Sequence, residues 1–431
     1  MVAMPPENSD SKKTAVLFAL LVLISASVVW DISVMAGGWP NRLGTEWDLL
    51  AEAFSQGRMH LIDPPYKVHM VKVDGRSYVA MPPLAGILLT PWAALNGAQG
   101  VDVGLFTYGL IGLNCGLLFL VLDAMKRRGW IEASTGALVA LALASVFGTA
   151  QVTLAAVALG IFTSQVLLVT CVLLATLAAL RGWPLWLAAT FIGLSLQARP
   201  SGFFSILLVL GIYAQSRLER TGKLGWVDVW QMVLPAGVPL AASVGFSLWY
   251  NYARFGNLWD FGYASLKGSK AILARVRTYG LFSVKYVGQN LWRYLLAGPL
   301  RMATNELPAG WPRRLPLLVA DIEGMSMMLT TPALLFLARR YPIKGWVLGA
   351  WASILGCLVF LSLYSAYGAP QFGARYFLDL LVPAMMLLAF ATGKRMRWWL
   401  GAALLAGVVI NVVGSFELAE YILGVLATTF R

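Results

Sequence analysis

Two carboxylic acids, Glu46 and Asp48, begin a short amphipathic segment that follows the first apolar stretch of the chain. A carboxylate at the water face of a membrane can act as a general base, because it can accept the proton of an attacking hydroxyl group. Thr45 and Asp48 have the spacing of a capping box, and the apolar residues after them recur at helical intervals. We therefore expect a helix along the membrane surface that starts at these acids and ends at Gly57.

The capping pattern predicts different roles for the two acids. Asp48, at the third helical position, is expected to bond a free backbone amide, whereas Glu46 at the first position is not needed for the cap. Helical residues rotate by about 100° each, so the two side chains point about 200° apart and cannot easily act as a dyad. Glu46 is the better candidate base, and Asp48 is the alternative.

Arginines at the ends of two apolar spans supply positive charge on the same side of the membrane as these acids. Arg199 and Arg375 both lie on the side away from the basic loops, where neither is needed to set the topology. Because a guanidinium group binds phosphate through paired hydrogen bonds, these residues suit a phosphate ligand. Arg375 has an equally good alternative role, since Asp379 follows it by one helical turn and would pair with it.

Two further segments on the same side carry polar side chains. Alternation around Asp74–Gly75 predicts a hairpin within residues 66–79, and a second cluster at 251–263 mixes aromatic residues with charges. That second cluster is also typical of an aromatic belt at a membrane interface. The candidate substrate contacts in the two segments are Lys67, His69, Lys72 and Tyr78, and Arg254 and Asp260.

The composition excludes an ordinary soluble protein. Of the 431 residues, 59% are hydrophobic and only 12% are charged, with a mean hydropathy of +0.71. We predict an all-α polytopic membrane protein with about eleven transmembrane helices. The predicted spans are 14–34, 104–125, 133–150, 162–180, 184–198, 201–215, 231–252, 323–338, 345–365, 374–391 and 398–415, and 84–96 is predicted as a shorter interfacial or re-entrant helix.

Short basic loops predict the orientation. By the positive-inside rule they face the cytoplasm, as does the N-terminal segment 1–13. The long segments 36–102 and 253–322 and an interfacial tail at 416–431 then lie outside, with the transmembrane module spanning 14–415. The net charge of +13 is explained by these loops and by anionic lipid, so no nucleic-acid partner is expected.

Cysteine and histidine residues give no sign of a metal centre. Cys115, Cys171 and Cys357 fall within apolar spans, where cysteine packs as a small hydrophobic residue. His60 and His69 do not have the spacing of a metal site. A magnesium or manganese ion on the carboxylates Glu46, Asp48 or Asp260 is conceivable, but we expect none to be required.

The order of these parts resembles the multi-spanning glycosyltransferases of the GT-C fold, in particular the bacterial branch that includes protein O-mannosyltransferases and lipid A aminoarabinose transferases. The resemblance covers residues 40–390. It rests on the segments Glu46–Phe54 with Gly57–Arg58, Tyr78–Leu84, Ala198–Pro200, Asn251–Asn257 and Phe372–Phe377.

The resemblance implies a membrane enzyme that acts at the outer face of a bacterial inner membrane. In that family an acid at the start of the first outer helix activates the acceptor, which is a lipid, glycan or protein hydroxyl. The sugar comes from a polyprenyl-phosphate donor with inversion. By resemblance, Glu46 or Asp48 is the base, while Arg199 and Arg375, with Arg254 and Lys67 less directly, stabilise the leaving phosphate.

The chain departs from the family pattern at two positions. Glu46 stands where the family more often has aspartate, and Ala80–Met81 precede the Pro-Pro pair where some relatives carry a charged residue. Lys67, Lys72 and His69 are the candidates to replace that charge.

Two other functions fit parts of the sequence. A transporter or flippase of a lipid-linked substrate would explain the many spans, but it predicts charges near the middle of the spans, and the ionisable residues lie at span ends. An O-antigen polymerase or ligase would use a diphosphate donor and many cations in one outer loop. The basic residues between Arg254 and Arg293 keep that alternative open.

Overall fold

Long apolar helices dominate the structure, as the composition requires. The computed structural model describes residues 10–38, 45–64, 70–157, 160–262, 270–298, 300–301, 319–320 and 323–429. Within these residues, eight helices are long and apolar enough to cross a bilayer, and two shorter apolar helices, Thr135–Phe147 and Leu185–Ala198, accompany them. The prediction of an all-α polytopic membrane protein is confirmed.

Sixteen α-helices occur in the described part of the chain. They are α1 Asp10–Met35, α2 Glu46–Ser55, α3 Leu84–Gly100, α4 Val103–Arg127, α5 Thr135–Phe147, α6 Ala150–Ala155, α7 Gly160–Leu180, α8 Leu185–Ala198, α9 Ile206–Thr221, α10 Trp226–Phe255, α11 Lys270–Tyr279, α12 Val287–Leu295, α13 Met327–Thr330, α14 Gly345–Leu363, α15 Leu381–Thr392 and α16 Trp398–Thr429. Short 3₁₀ helices precede or follow several of them, at Pro200–Ser205, Val284–Tyr286, Pro332–Leu337 and Arg375–Leu380.

The predicted hairpin is present. Strands β1 Met70–Val73 and β2 Arg76–Val79 pair antiparallel, with Met70 opposite Val79 and Val73 opposite Arg76. Asp74 and Gly75 both have positive φ, which is the conformation that a tight two-residue hairpin turn needs. A second pair of short strands, β3 Leu300–Arg301 and β4 Val319–Ala320, is also antiparallel.

Several basic loops meet at one end of the helical bundle. Arg127 donates to Thr14 Oγ1 at 2.9 Å, which joins the end of α4 to the start of α1, and Arg128 donates to Ser216 Oγ of α9 at 2.7 Å. Arg339 similarly donates to the carbonyl of Ala391 at the end of α15. We call this the basic end. Helices α1 and α4 are antiparallel, since Ser33 near the end of α1 shares a hydrogen bond with Tyr108 near the start of α4. The segment that joins them in the chain, with α2, the β1–β2 hairpin and α3, therefore lies toward the opposite end.

Helix α7 is at the centre of the bundle. Nearly all of its side chains are buried, and it packs against α4 and α8. Thr107 and Thr163 share a hydrogen bond of 2.8 Å near the start of both helices, and Asn114 of α4 donates to the carbonyl of Val166 at 3.1 Å. The first turns of α7 therefore lie at the end of the bundle away from the basic loops.

Three predicted segments differ in the structure. The predicted span 323–338 is not one continuous α-helix. It runs from Met325, which bonds Phe372 and Ala374, to Arg339 at the basic end, but as the short α13, capped by Ser326, and then a 3₁₀ helix, because Pro332 has no amide to continue the α-helical ladder. The predicted span 133–150 stops at Phe147, and α6 follows as a separate short helix. The segment 416–429 continues α16 and is not a separate interfacial element.

Candidate active site

The start of α2 has the predicted capping box. Thr45 Oγ1 accepts a hydrogen bond from the amide of Trp47 at 3.2 Å, and Asp48 Oδ1 accepts one from the amide of Thr45 at 2.9 Å. Asp48 Oδ1 also accepts from the amide of Leu49 at 2.9 Å. Asp48 therefore has the local structural role that its position predicts, and it holds the first turn of α2 in place.

Burial changes the acidity of Asp48. The residue is only 8% exposed, and this desolvation raises the pKa of its carboxyl group from 3.8 to about 7, although the backbone hydrogen bonds act in the opposite direction. The nearby charge of Glu46 adds to the increase. Asp48 thus titrates near neutral pH.

Glu46 lies against the first residue of α7. It is 5% exposed, and a Cβ atom placed on Gly160 would overlap its carboxylate oxygen Oε2. The next residue, Trp47, is fully buried and donates a hydrogen bond from its indole Nε1 to the carbonyl of Gly160. The acid that is not needed for the cap is therefore the one that contacts the central helix.

Arg375 contacts the same helix a little further along. Its Nη1 donates to Gln165 Oε1 and its Nε donates to the carbonyl of Gly368, both at 2.6 Å, and its guanidinium group lies 5.3 Å from the ring of Phe162. The residue is 6% exposed. It forms no ion pair with a carboxylate of the described residues, and Nη2 has no acceptor among them.

Arg199 is held by an acid from a distant part of the chain. Its Nη2 lies 3.2 Å from Asp379 Oδ2, and the same oxygen accepts a hydrogen bond of 2.7 Å from Ser201 Oγ. The Arg199 guanidinium group also lies over the ring of Tyr376, 4.8 Å from its centre. The proposed pairing of Asp379 with Arg375 is wrong, because Asp379 pairs with Arg199.

The first turns of α7 link Glu46 to Arg375. Gly160 contacts Glu46, whereas Phe162 and Gln165 contact Arg375. Since an α-helix rises 1.5 Å and turns about 100° per residue, these contacts span about 7.5 Å along the helix axis, and Gly160 and Gln165 point about 140° apart around it. Sequence analysis missed Gly160 and Gln165, although a lone glutamine inside an apolar span is itself a signal of a polar site.

Arg254 and Tyr78 hold the hairpin to α10. Arg254 is 4% exposed, donates from Nη1 to the carbonyl of Val79 and from Nη2 to Asn251 Oδ1 at 3.0 Å, and lies over the Tyr250 ring. Tyr78 meets Phe255 edge to face, with ring centres 5.9 Å apart. Both side chains are thus buried, and they hold β2 against α10.

Two further predicted contacts, Lys72 and Asp260, lie in the described part of the chain. Lys72 is exposed on β1, opposite Ser77. Asp260 Oδ1 accepts from the amide of Gly262 at 2.7 Å, which closes a local turn. Lys67 and His69 lie outside the described residues.

The carboxylates do not gather into a metal centre in the described part of the chain. No group of three or more histidine, cysteine, aspartate or glutamate side chains with metal-binding geometry occurs there. Cys115, Cys171 and Cys357 are free thiols buried within helices, as their apolar surroundings predict.

The chain is similar to one kind of known membrane enzyme, at low sequence identity. No family model and no curated protein matches the chain. Among solved structures, the oligosaccharyltransferase of Archaeoglobus fulgidus in its apo form is similar, with 14% sequence identity and a TM-score of 0.45. The match covers 93% of this chain but only 56% of that protein, so the chain spans about half of its length. A likeness at this level assigns neither a fold family nor an activity.

Proposed function

We propose that the protein is a GT-C-like membrane glycosyltransferase, which moves a monosaccharide from a polyprenyl-phosphate donor to a hydroxyl group of a lipid, glycan or protein. One observation supports this proposal above the others. A buried acid, Glu46, and a buried arginine without a carboxylate partner among the described residues, Arg375, contact the first turns of the same helix, α7. A base and a phosphate-binding cation at the same end of the bundle are what such a transfer needs.

In the proposed reaction the acceptor oxygen attacks the anomeric carbon of the donor. The new carbon–oxygen bond forms as the bond between that carbon and the phosphate oxygen breaks, which inverts the configuration. The acceptor proton passes to the Glu46 carboxylate, and the polyprenyl phosphate leaves with the bonding electron pair. Asp48 is the alternative base, although its hydrogen bonds to the amides of Thr45 and Leu49 already occupy one of its oxygens.

Arg375 is the proposed principal contact of the phosphate, whose negative charge increases in the transition state. Its Nη2, which has no acceptor among the described residues, is available to donate, and the hydrogen bonds to Gln165 and Gly368 orient the guanidinium group. Arg199 is the second proposed contact. Arg254 and Tyr78 are proposed to contribute indirectly, by holding the hairpin beside the site, and Lys72 and Asp260, with Lys67 and His69, are proposed as more distant contributors.

The proposed site faces the outside of a bacterial inner membrane. This orientation rests on the positive-inside rule, which assigns the basic end to the cytoplasm. Segments 36–102 and 253–322 then form the outer loops around the site. No divalent cation is proposed as a requirement, and addition of EDTA, magnesium or manganese to the transfer assay tests that point.

Transfer of radiolabelled sugar from a panel of polyprenyl-phosphate monosaccharides by the purified protein in lipid tests the proposal. We expect Glu46→Gln to lower the rate about 10²- to 10⁴-fold, the usual contribution of a general base. Glu132→Gln, at an exposed acid beyond the basic end of α4, is the matched control and should keep full activity.

Other outcomes would redirect the assignment. If Asp48→Asn alone abolishes transfer, Asp48 is the base. If both variants keep full activity, the assignment of the base is wrong. If the protein consumes only polyprenyl-diphosphate donors, the polymerase or ligase function is favoured, and movement of an unaltered donor across the bilayer would favour a flippase.

A further inference from the structure

Helix α2 contacts the central helix at a glycine. A Cβ atom on Gly160 would overlap Glu46 Oε2, and it would lie 3.0 Å from Glu46 Cδ and 3.1 Å from Trp47 Cδ1. No side chain larger than hydrogen fits there unless one of these groups moves. The φ angle of Gly160 is not positive, so the need for glycine comes from this contact and not from the backbone conformation.

The surrounding bonds hold the backbone that carries Glu46, so that only its side chain is free to move. The capping box of Thr45 and Asp48 holds the backbone of the first turn of α2. The fully buried Trp47 is attached to α7 through its hydrogen bond to the carbonyl of Gly160. A group added at position 160 would therefore displace mainly the Glu46 carboxylate, which is the end of the most flexible side chain in contact with it.

We infer that Gly160 is a positioning residue, whose missing side chain determines where the Glu46 carboxylate lies. The catalytic consequence of this inference rests on the proposed function, whereas the steric contact does not. Displacement of a reacting group by about 1 Å can slow an enzyme about 100-fold. Donor binding is assigned to Arg375 and Arg199, so it should not change with position 160.

A cycle of variants tests the inference: Gly160→Ala, Glu46→Asp, and the two together. We expect Gly160→Ala to lower kcat about 10- to 100-fold, with the KM for the donor changed less than about twofold. Glu46→Asp has a shorter arm that withdraws the carboxylate from the added methyl group. The double variant should therefore lose much less activity than the product of the two single losses. Multiplicative losses, or a change in KM alone, would overturn the inference.

Thermal unfolding separates this inference from the proposed function. Alanine favours helix over glycine, so Gly136→Ala on α5, where a Cβ meets no atom within 4 Å, should keep or raise the unfolding temperature. Gly160→Ala should instead lower the unfolding temperature in the wild-type background, and by less in the Glu46→Asp background. If this coupling is present but no donor is consumed, the proposed function fails and the positional role stands.

A second comparison covers the case in which Gly160→Ala does not fold. The double variant Gly160→Ala/Glu46→Ala removes the carboxylate that the new methyl group meets, and the yield of folded protein should recover. If the yield stays as low as for Gly160→Ala alone, Glu46 is not what position 160 accommodates, and the inference is wrong.

Discussion

Arg199 and Asp379 form a buried ion pair between residues far apart in the chain. Both Nε and Nη2 of Arg199 lie within 3.3 Å of Asp379 Oδ2, and the carboxylate side chain is fully buried. Ser201 adds a hydrogen bond to the same oxygen. The pair joins the end of α8 to the segment that precedes α15.

The local helix type explains why Asp379 pairs with Arg199 and not with Arg375. Residues Arg375–Leu380 form a 3₁₀ helix. With three residues per turn, side chains four positions apart point about 120° apart, whereas in an α-helix they differ by only about 40°. Asp379 is thus turned away from Arg375, which leaves the Arg375 guanidinium group without a carboxylate from its own helix.

Loss of this pair should destabilise the protein strongly. Asp379→Asn keeps the shape of the side chain but leaves the Arg199 charge, which is 18% exposed, without this counter-charge, and we expect a cost toward the lower end of the range of about 3–5 kcal/mol of unfolding free energy that breaking a buried pair takes. Asp123→Asn removes the partly exposed pair with Arg127 and should cost less than about 0.5 kcal/mol. Denaturant unfolding in mild detergent measures both, and equal effects would contradict the prediction.

Local patterns in the sequence predicted local structure well. The capping box at Thr45 and Asp48 and the turn at Asp74–Gly75 depend on neighbouring residues only, and both are present. Long apolar stretches likewise predicted most of the spans. The break of the α-helix within 323–338 is equally local, since Pro332 has no amide to continue the α-helical ladder.

The contacts that build the candidate site were not predictable in the same way. The contact of Glu46 with Gly160 and the bond of Arg375 to Gln165 join residues more than a hundred positions apart. No spacing rule connects such positions, because their meeting depends on how the helices pack. Only the residue types carry information, since the acids and arginines at span ends predict which end of the bundle holds the candidate site.

Arg375 should matter for donor binding. Arg375→Gln removes the charge, and we expect the donor kcat/KM to fall about 10- to 100-fold, since hydrogen bonds to charged groups contribute about 1.5–3 kcal/mol. Arg375→Lys keeps the charge but loses the fork that bonds Gln165 and Gly368, so an intermediate loss is expected. Arg340→Gln, an exposed arginine near Arg339 of the basic end, is the control and should leave kcat/KM unchanged.

Asp48 should make stability depend on pH. Its pKa is about 7 in the folded protein against 3.8 for the free side chain, so between these pH values the folded state binds more protons than the unfolded state. The stabilising contribution is therefore complete below pH 4 and is lost as pH rises through 7, by at most about 1.4 kcal/mol per pH unit. Asp48→Asn can still accept the cap hydrogen bond, and its unfolding free energy should fall less between pH 4 and 7. A fall as steep as in the wild type would show that another group titrates.

Arg254 should stabilise the hairpin rather than bind the donor. Its guanidinium group bonds the carbonyl of Val79 and the side chain of Asn251, and a lysine ammonium group cannot reach both. We expect Arg254→Lys to increase amide hydrogen exchange in Arg76–Val79 about 10-fold, while the donor KM stays unchanged. Arg277→Lys, an exposed position on α11, is the control for both measurements. Unchanged exchange together with a higher KM would instead make Arg254 a contact of the donor phosphate, because only a ligand contact can raise KM while the hairpin keeps its protection.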